Sequence, residues 1–415
     1  MRFAKLSILA IPVGLLAGLS SALFLWLLEV ATNTQQTTTW LLWLLPVAGL
    51  LIGLINQRSN QFTNAGTSAV MSQARRSTSA LPGLLAPTVL VTTVVTHLFG
   101  GSAGREGTAL QMSAGLSDRI IAGPLDLDPG TRSRLLRISV AAGFGAVFGV
   151  PIAGAVFGLE VVRERSDHRT ERSFRWLHRN PPRSPRPSGA ITIIPALIAS
   201  VIGDRVVLGL GIGHLELPTI PGPEWSFRLG VLLIIAGVVF GLAAIAFAGL
   251  TRLIGQLFRI LIPVTFVRPV VGALVLLIMV AVSGTRDYLG LSLPLITNAV
   301  TAGVGVTSLA FVGKILFTAV TLGSGFRGGE VTPLFVIGAT LGASIASLAD
   351  LSVTSVAMFA ALGMLAVFAG AARTPWACIV MTVELFGWHL AVPAIVVCAL
   401  SQWVVRDHGI YVEKP

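Results

Sequence analysis

The stretch GGSAGREGTALQM, Gly100–Met112, sets an arginine and a glutamate among four glycines. The chain that carries it has 415 residues, of which 54% are hydrophobic and 11% charged, against roughly 25% charged residues in soluble domains. Ile8–Leu28, Trp40–Ile55 and Leu229–Leu250 reach or approach the ~20 apolar residues that cross a hydrocarbon core, and Val270–Val282 is shorter. The uneven lengths predict an all-α, polytopic membrane protein with tilted and broken helices. An acidic or basic residue at membrane depth costs ~2.5–3.5 kcal/mol, so Glu106 reads as functional. The glycines around it permit an unwound backbone or a helix start. A helix start presents unpaired N–H groups and a positive dipole end, which together form an anion site. Glu106 can fill such a site with its own carboxylate and leave it on protonation, which couples anion and proton occupancy.

Further along the chain the pattern recurs. GREGTALQ (104–111) laid on GGEVTPLF (328–335) pairs Glu106 with Glu330 and Thr108 with Thr332, at an offset of 224 residues. PIAGAVFGLE (151–160) laid on PWACIVMTVE (375–384) pairs Pro151 with Pro375 and Glu160 with Glu384, again at 224. Duplicated halves with glycine-interrupted segments at matched positions point to a transporter whose site lies between the repeats. The expected organisation is one repeat over 1–162, a basic proline-rich loop over 163–189, and a second repeat over 190–415. From Arg163 to Arg186 that loop has eight arginines against Glu164, Asp167 and Glu171, a net +5 out of the +11 of the whole chain. Concentrated in one short loop, the charge reads as a cytoplasmic topology signal, not as a nucleic-acid surface. The N-terminal apolar run is too long for a signal-peptide core and reads as a retained first helix.

Glu330 follows Gly323, Gly325, Gly328 and Gly329 and precedes Pro333, which suits a first helical turn. It can act at an anion site or simply cap its helix, and Thr332 can act beside it or bond back to its own helix. A neutral carboxylic acid can donate a hydrogen bond to a bound anion, which favours a small, strongly hydrated one. Pairing of Glu106 with Arg105 is not expected, because adjacent residues on a helix do not face each other. Glu160 and Glu384 read as interhelical partners, His97 as a hydrogen-bonded core histidine, and Cys378 and Cys398 as packing residues. There is no HExxH, CxxC or Asp/His cluster for a metal. The N-terminal serines and threonines lack a His/Asp setting for nucleophilic catalysis, and neither an enzyme nor a cofactor is expected.

With these residues in hand, the chain resembles the CLC family of anion channels and transporters. GSAGREGTALQ resembles its G-R-E-G-P signature, and GFRGGEVTPLF falls where that family has G-x-F-x-P. FGVPIAGAVFGLEVVR (148–163) resembles its F-x-x-P-L-A-G stretch, and LSQWVVRDHGIY leads to its anion-site tyrosine at Tyr411. Thr108 stands where chloride-type members have proline, and Glu330 where they have an apolar residue. Both changes resemble the fluoride/proton antiporter branch, which reads G-R-E-G-T and G-G-E-V-T-P. The resemblance implies an inverted-repeat fold and a homodimer with one pathway per subunit. It also implies export of fluoride against inward protons in a bacterial cytoplasmic membrane, with a chloride/proton exchanger or passive anion channel as the alternative. It makes Glu106 the gating glutamate, Glu330 a second proton-coupling acid, Thr332 a relay beside it, and Tyr411 an anion contact. Gly107, Thr108 and Val331 fall at anion-binding positions. NAGTSAVM (64–71) puts either Thr67 or Ser68 at the central anion contact, and a hydroxyl there is the feature that keeps the chloride alternative open. Val161 stands where chloride/proton exchangers carry an internal proton-transfer glutamate.

Overall fold

The structure is a computed structural model and describes residues 2–59, 66–77, 79–162, 189–301 and 308–411. The basic loop expected over 163–189 lies almost wholly outside the described residues, as do Asn64 and Ala65 ahead of Thr67. Sixteen α-helices are described, and eight helical segments are long and apolar enough to cross a membrane. The protein is a multi-pass, all-helical membrane protein.

The first eight helices are α1 (Arg2–Thr37), α2 (Leu45–Arg58), α3 (Thr67–Arg76), α4 (Leu85–Leu98), α5 (Glu106–Ser117), α6 (Pro129–Phe148), α7 (Pro151–Glu160) and α8 (Gly189–Gly209). The second eight are α9 (Phe227–Leu261), α10 (Arg268–Ser283), α11 (Leu293–Val300), α12 (Ala310–Ser324), α13 (Val331–Leu348), α14 (Val353–Ala372), α15 (Pro375–Phe386) and α16 (Ala391–Val405). The 224-residue displacement seen in two motifs relates whole helices. α6 and α14 are displaced by 224 residues at both ends, and so are their caps. Asp128 accepts a hydrogen bond from the Thr131 N–H, and Ser352 accepts one from the Ser355 N–H. Side-chain acceptors at these positions satisfy N–H groups that have no partner within the helix. At the far ends Gly149 and Arg373 both take left-handed backbone, φ 71 and 61°. α8 packs on α1 as α16 packs on α9, which completes two sets of eight.

Two features fix how the sets meet. Glu384, near the end of α15, accepts from the Ile152 and Ala153 N–H groups at the start of α7, at 2.9 and 2.7 Å. Glu160, at the end of α7, accepts from the Trp376 and Ala377 N–H groups at the start of α15, at 3.2 and 2.8 Å. Each helix thus caps the other, so α7 and α15 lie antiparallel. Because they are equivalent helices, the two halves are inverted with respect to each other. Along the same pseudo-two-fold, Phe144 and its counterpart Phe368 stack at 6.1 Å, with Phe157 4.1 Å from Phe144.

The longest helices, α1 with 36 residues and α9 with 35, would be ~50 Å long at 1.5 Å per residue. That exceeds a hydrocarbon core of ~30 Å, so they must tilt. By contrast α7 has 10 residues and α5 has 12, which is too few to cross, so their ends lie within the protein at membrane depth. Backbone there must be sheltered by protein or line a cavity. The shelter is central: the spanning windows of α13 and α14 are 83% and 94% buried within the protein, against 22% for that of α10.

Candidate functional site

The site forms where two loops between short helices meet. The loop from α4 to α5 ends in Gly104-Arg105-Glu106, and the loop from α12 to α13 ends in Gly328-Gly329-Glu330. They are joined by a reciprocal pair of hydrogen bonds, from Gly104 N–H to Gly329 C=O at 2.7 Å and from Gly329 N–H to Gly104 C=O at 2.6 Å. A Cβ on Gly104 would lie 2.8 Å from Pro333 Cδ and 3.0 Å from a Glu106 carboxylate oxygen, so only glycine allows this approach. His97 bridges the first loop to α4, its ring nitrogens 2.8 Å from the Thr93 carbonyl and 3.1 Å from that of Ala103. It is a hydrogen-bonded core histidine.

Glu106 is buried, 1% exposed, and its carboxylate is held by the second half of the chain. Oε1 accepts from the Thr332 hydroxyl at 2.5 Å. Oε2 accepts from the Thr332 N–H and from the Arg105 N–H, each at 3.1 Å. Thr332 is the second residue of α13, so the carboxylate sits on an unpaired donor at that helix's N-terminus. The sequence suggested that Glu106 would occupy the start of its own helix; in the structure its carboxylate accepts from the Arg105 N–H there and reaches the start of its counterpart's helix as well. Arg105 Nε lies 3.6 Å from Oε1, which corrects the expectation that the two would not meet. Arg105 precedes the helix as its N-cap residue, so the geometry of helix neighbours does not apply to it.

Glu330 is the N-cap residue of α13, yet its side chain makes no capping hydrogen bond. It lines a cavity of about 130 Å³ together with Thr67, Ser68, Thr93, Thr108, Gln111 and Arg327. Three apolar side chains, Val89, Leu322 and Phe326, complete the described side-chain walls. Thr67 and Ser68 therefore both face the cavity, at the first turn of α3. The Thr67 hydroxyl donates to the Gly107 carbonyl at 3.5 Å and accepts from Gln111 Nε2 at 3.2 Å. Thr108 is hydrogen-bonded to Thr93 at 2.8 Å between hydroxyls. A second, smaller and mainly apolar cavity of about 20 Å³ is lined by Arg105, Glu106 and Thr332 together with Phe148, Leu215, Leu217, Ile296 and Phe335, among others. The Glu106 carboxylate thus borders the apolar cavity, while Thr108, two residues on, lines the hydrophilic one.

The remaining expected residues are placed as follows. Val331 is fully buried in the first turn of α13. Tyr411 is buried and lies within electrostatic range of both Glu330 and Glu106, but it lines neither cavity. Val161 is buried, and its carbonyl accepts from Arg75 at 3.1 Å. Sequence reasoning passed over Gln111, Thr93, Arg327 and Asn56. For Arg327 a signal was present, since a charged residue in an apolar, glycine-broken run is costly wherever it occurs. Asn56 gave none, because it reaches the site from 271 residues away.

Comparison with known proteins places this geometry. Residues 48–406 match the family model described as voltage gated chloride channel. A chloride/fluoride channel protein of Pseudomonas syringae pv. tomato is 38% identical over 98% of this chain and 86% of its own length. The H(+)/Cl(-) exchange transporter ClcA of Vibrio cholerae is 29% identical over 71% of this chain, which spans 60% of that relative's length. The crystal structure of a CLC-type fluoride/proton antiporter superposes with a TM-score of 0.87 at 29% identity, covering 98% of this chain and 97% of that one. That of a slow cyanobacterial Cl-/H+ antiporter superposes with a TM-score of 0.74 at 21% identity, a likeness of fold. With inverted halves, paired glycine-rich loops and a match over most of its length, the chain belongs to the voltage gated chloride channel, or CLC, family.

Proposed function

We propose that the protein is a fluoride/proton antiporter that exports fluoride from the bacterial cytoplasm. The observation that carries this reading is the seat of Glu106, whose carboxyl group is held by a backbone N–H and a hydroxyl at the start of α13. Donors that accept a carboxylate there will also accept a small anion. A charged Glu106 blocks the seat, an anion arriving from the hydrophilic cavity displaces it, and protonation lets it move away. One position then serves carboxylate and anion in turn, and each exchange carries a proton the opposite way.

Fluoride is favoured over chloride by Glu330, which lies in the wall of the anion's approach. Protonated, it supplies a strong hydrogen-bond donor, and the smallest halide gains most from such a donor because it binds its water most tightly. Thr67 or Ser68, with Gly107, Thr108, Val331 and Tyr411, would complete the pathway. The name of the antiporter with the similar fold agrees with fluoride, and that of the Pseudomonas relative covers both chloride and fluoride. A second reading, chloride/proton exchange, is supported by the hydroxyl of Thr67 in the cavity wall and by the name of the Vibrio relative. The protein would work as a homodimer in the cytoplasmic membrane, with repeats 1–162 and 190–415 enclosing the site and the arginine-rich loop facing the cytoplasm.

The deciding experiment is efflux from proteoliposomes loaded with fluoride or with chloride, followed by ion-selective and pH electrodes. Fluoride efflux accompanied by proton uptake, with little chloride movement, is the expected result. Comparable chloride flux would establish the second reading, and anion flux without proton movement would remove antiport altogether.

A further inference from the structure

The hydrophilic cavity has one cation among its described lining residues, Arg327, and one acid, Glu330. A guanidinium at membrane depth is as costly as a carboxylate, so its position needs a reason. Asn56, in the last turns of α2, provides the hold. Its Oδ1 accepts from Arg327 Nε at 2.9 Å, and its Nδ2 donates to the Gly325 carbonyl at 2.9 Å. One amide therefore fixes both the side chain of Arg327 and the backbone two residues before it. This bracing comes from α2, which supplies no residue of the Glu106 seat.

We propose that Arg327 is an affinity-determining residue for the transported anion, drawing it into the cavity ahead of the Glu106 seat, with Asn56 as its positioning residue. The assignment builds on the proposed antiport and adds a positive charge in the wall of the hydrophilic cavity, ahead of the Arg105 guanidinium beside the seat. An anion entering the chamber meets repulsion from Glu330 whenever that carboxyl is ionised, and from the charged Glu106 on its way to the seat. Hydroxyls from Thr67, Ser68, Thr93 and Thr108 can replace part of its water but carry no net charge to offset that repulsion. Arg327, in the same lining, supplies the charge that offsets it. The volume, about 130 Å³, is well above the ~15 Å³ that one water needs, so an anion can be held with part of its hydration shell.

The test is binding, measured apart from transport, by calorimetric titration of the detergent-solubilised protein with sodium fluoride and with sodium chloride. Loss of one charge-assisted contact is expected to weaken binding in Arg327→Gln by about tenfold, equivalent to about 1.4 kcal/mol. Arg327→Lys, which keeps the charge, should recover most of it. Asn56→Ala keeps the guanidinium but removes the amide that accepts from its Nε, and should fall between wild type and Arg327→Gln; it also serves if Arg327→Gln does not fold. Wild-type affinity in both Arg327→Gln and Asn56→Ala would overturn the assignment, as would failure of the wild type to bind either anion. Failure of antiport itself would show differently, as a wild type that binds an anion in an Arg327-dependent way without moving protons.

Discussion

At the scale of single residues the central fact is that Glu106 and Thr332, 226 positions apart in sequence, form one unit. The carboxylate accepts twice from Thr332, once from its hydroxyl and once from its backbone. Glu106→Gln keeps an oxygen able to accept from Thr332 but can neither carry the charge nor exchange the proton. In proteoliposomes its fluoride movement should therefore leave the external pH unchanged, and a wild-type proton signal in that variant would remove Glu106 from the coupling step. Thr332→Val removes the hydroxyl and leaves the backbone donor. A hydrogen bond to a charged group contributes ~1.5–3 kcal/mol. The fluoride concentration for half-maximal efflux should thus rise by about tenfold or more. An unchanged value would mean that the hydroxyl serves only to hold the glutamate. Much of this was legible in the sequence, because a glutamate in a glycine-broken apolar run is expensive and two such runs at one spacing mark a pair. The direction of the contact was not legible. Nothing local to GREGT says that its glutamate caps the other half's helix, since that follows from how the halves face each other.

At the scale of helices the exchange of caps between α7 and α15 repeats the same device away from the anion path. Each helix starts with a proline and ends on or near a glutamate, and each glutamate accepts two N–H groups of the other helix. Capping by a side-chain acceptor stabilises a helix by about 0.5–2 kcal/mol, and an ionised acceptor strengthens each bond. Glu160→Gln and Glu384→Gln should each lower the unfolding midpoint in detergent by a few degrees, and by similar amounts because the two contacts are related by the pseudo-two-fold. Fluoride flux per folded molecule should stay at the wild-type level. A variant with normal stability and impaired flux would instead place that glutamate on the transport path. The sequence supplied the ingredients, Pro151 with Glu160 and Pro375 with Glu384, and their equal spacing. It left open which helix each carboxylate meets, because four unpaired N–H groups at any helix start are equivalent until packing chooses. Helix boundaries were harder for the same reason. In a chain this apolar, periodicity is weak, and α4, α5 and α12 are set off by the glycine loops between them more than by any amphipathic face.

At the scale of the molecule neither half holds a complete site. α3 and α5 bring Thr67, Ser68, Glu106 and Gln111, and the turn into α13 brings Arg327, Glu330 and Thr332. The seat of the carboxylate and the reciprocal pair between Gly104 and Gly329 exist only when both are present. The halves also share a single aromatic core, in which Phe144 and Phe157 stack with Phe368 and Phe335 meets Phe368 edge-on at 5.5 Å. Burial of that core, not the covalent link, should hold the halves together. Cutting the chain between Val162 and Gly189 leaves every site residue in place and separates the two fragments by repeat. The two fragments, expressed together, should co-purify and restore proton-coupled anion efflux, while either alone should give none. Co-purification without transport would show that the connection itself is needed to align the two glycine loops. Transport by a single fragment would mean that the anion path lies within one repeat, and that the contact between Glu106 and Thr332 has no part in it.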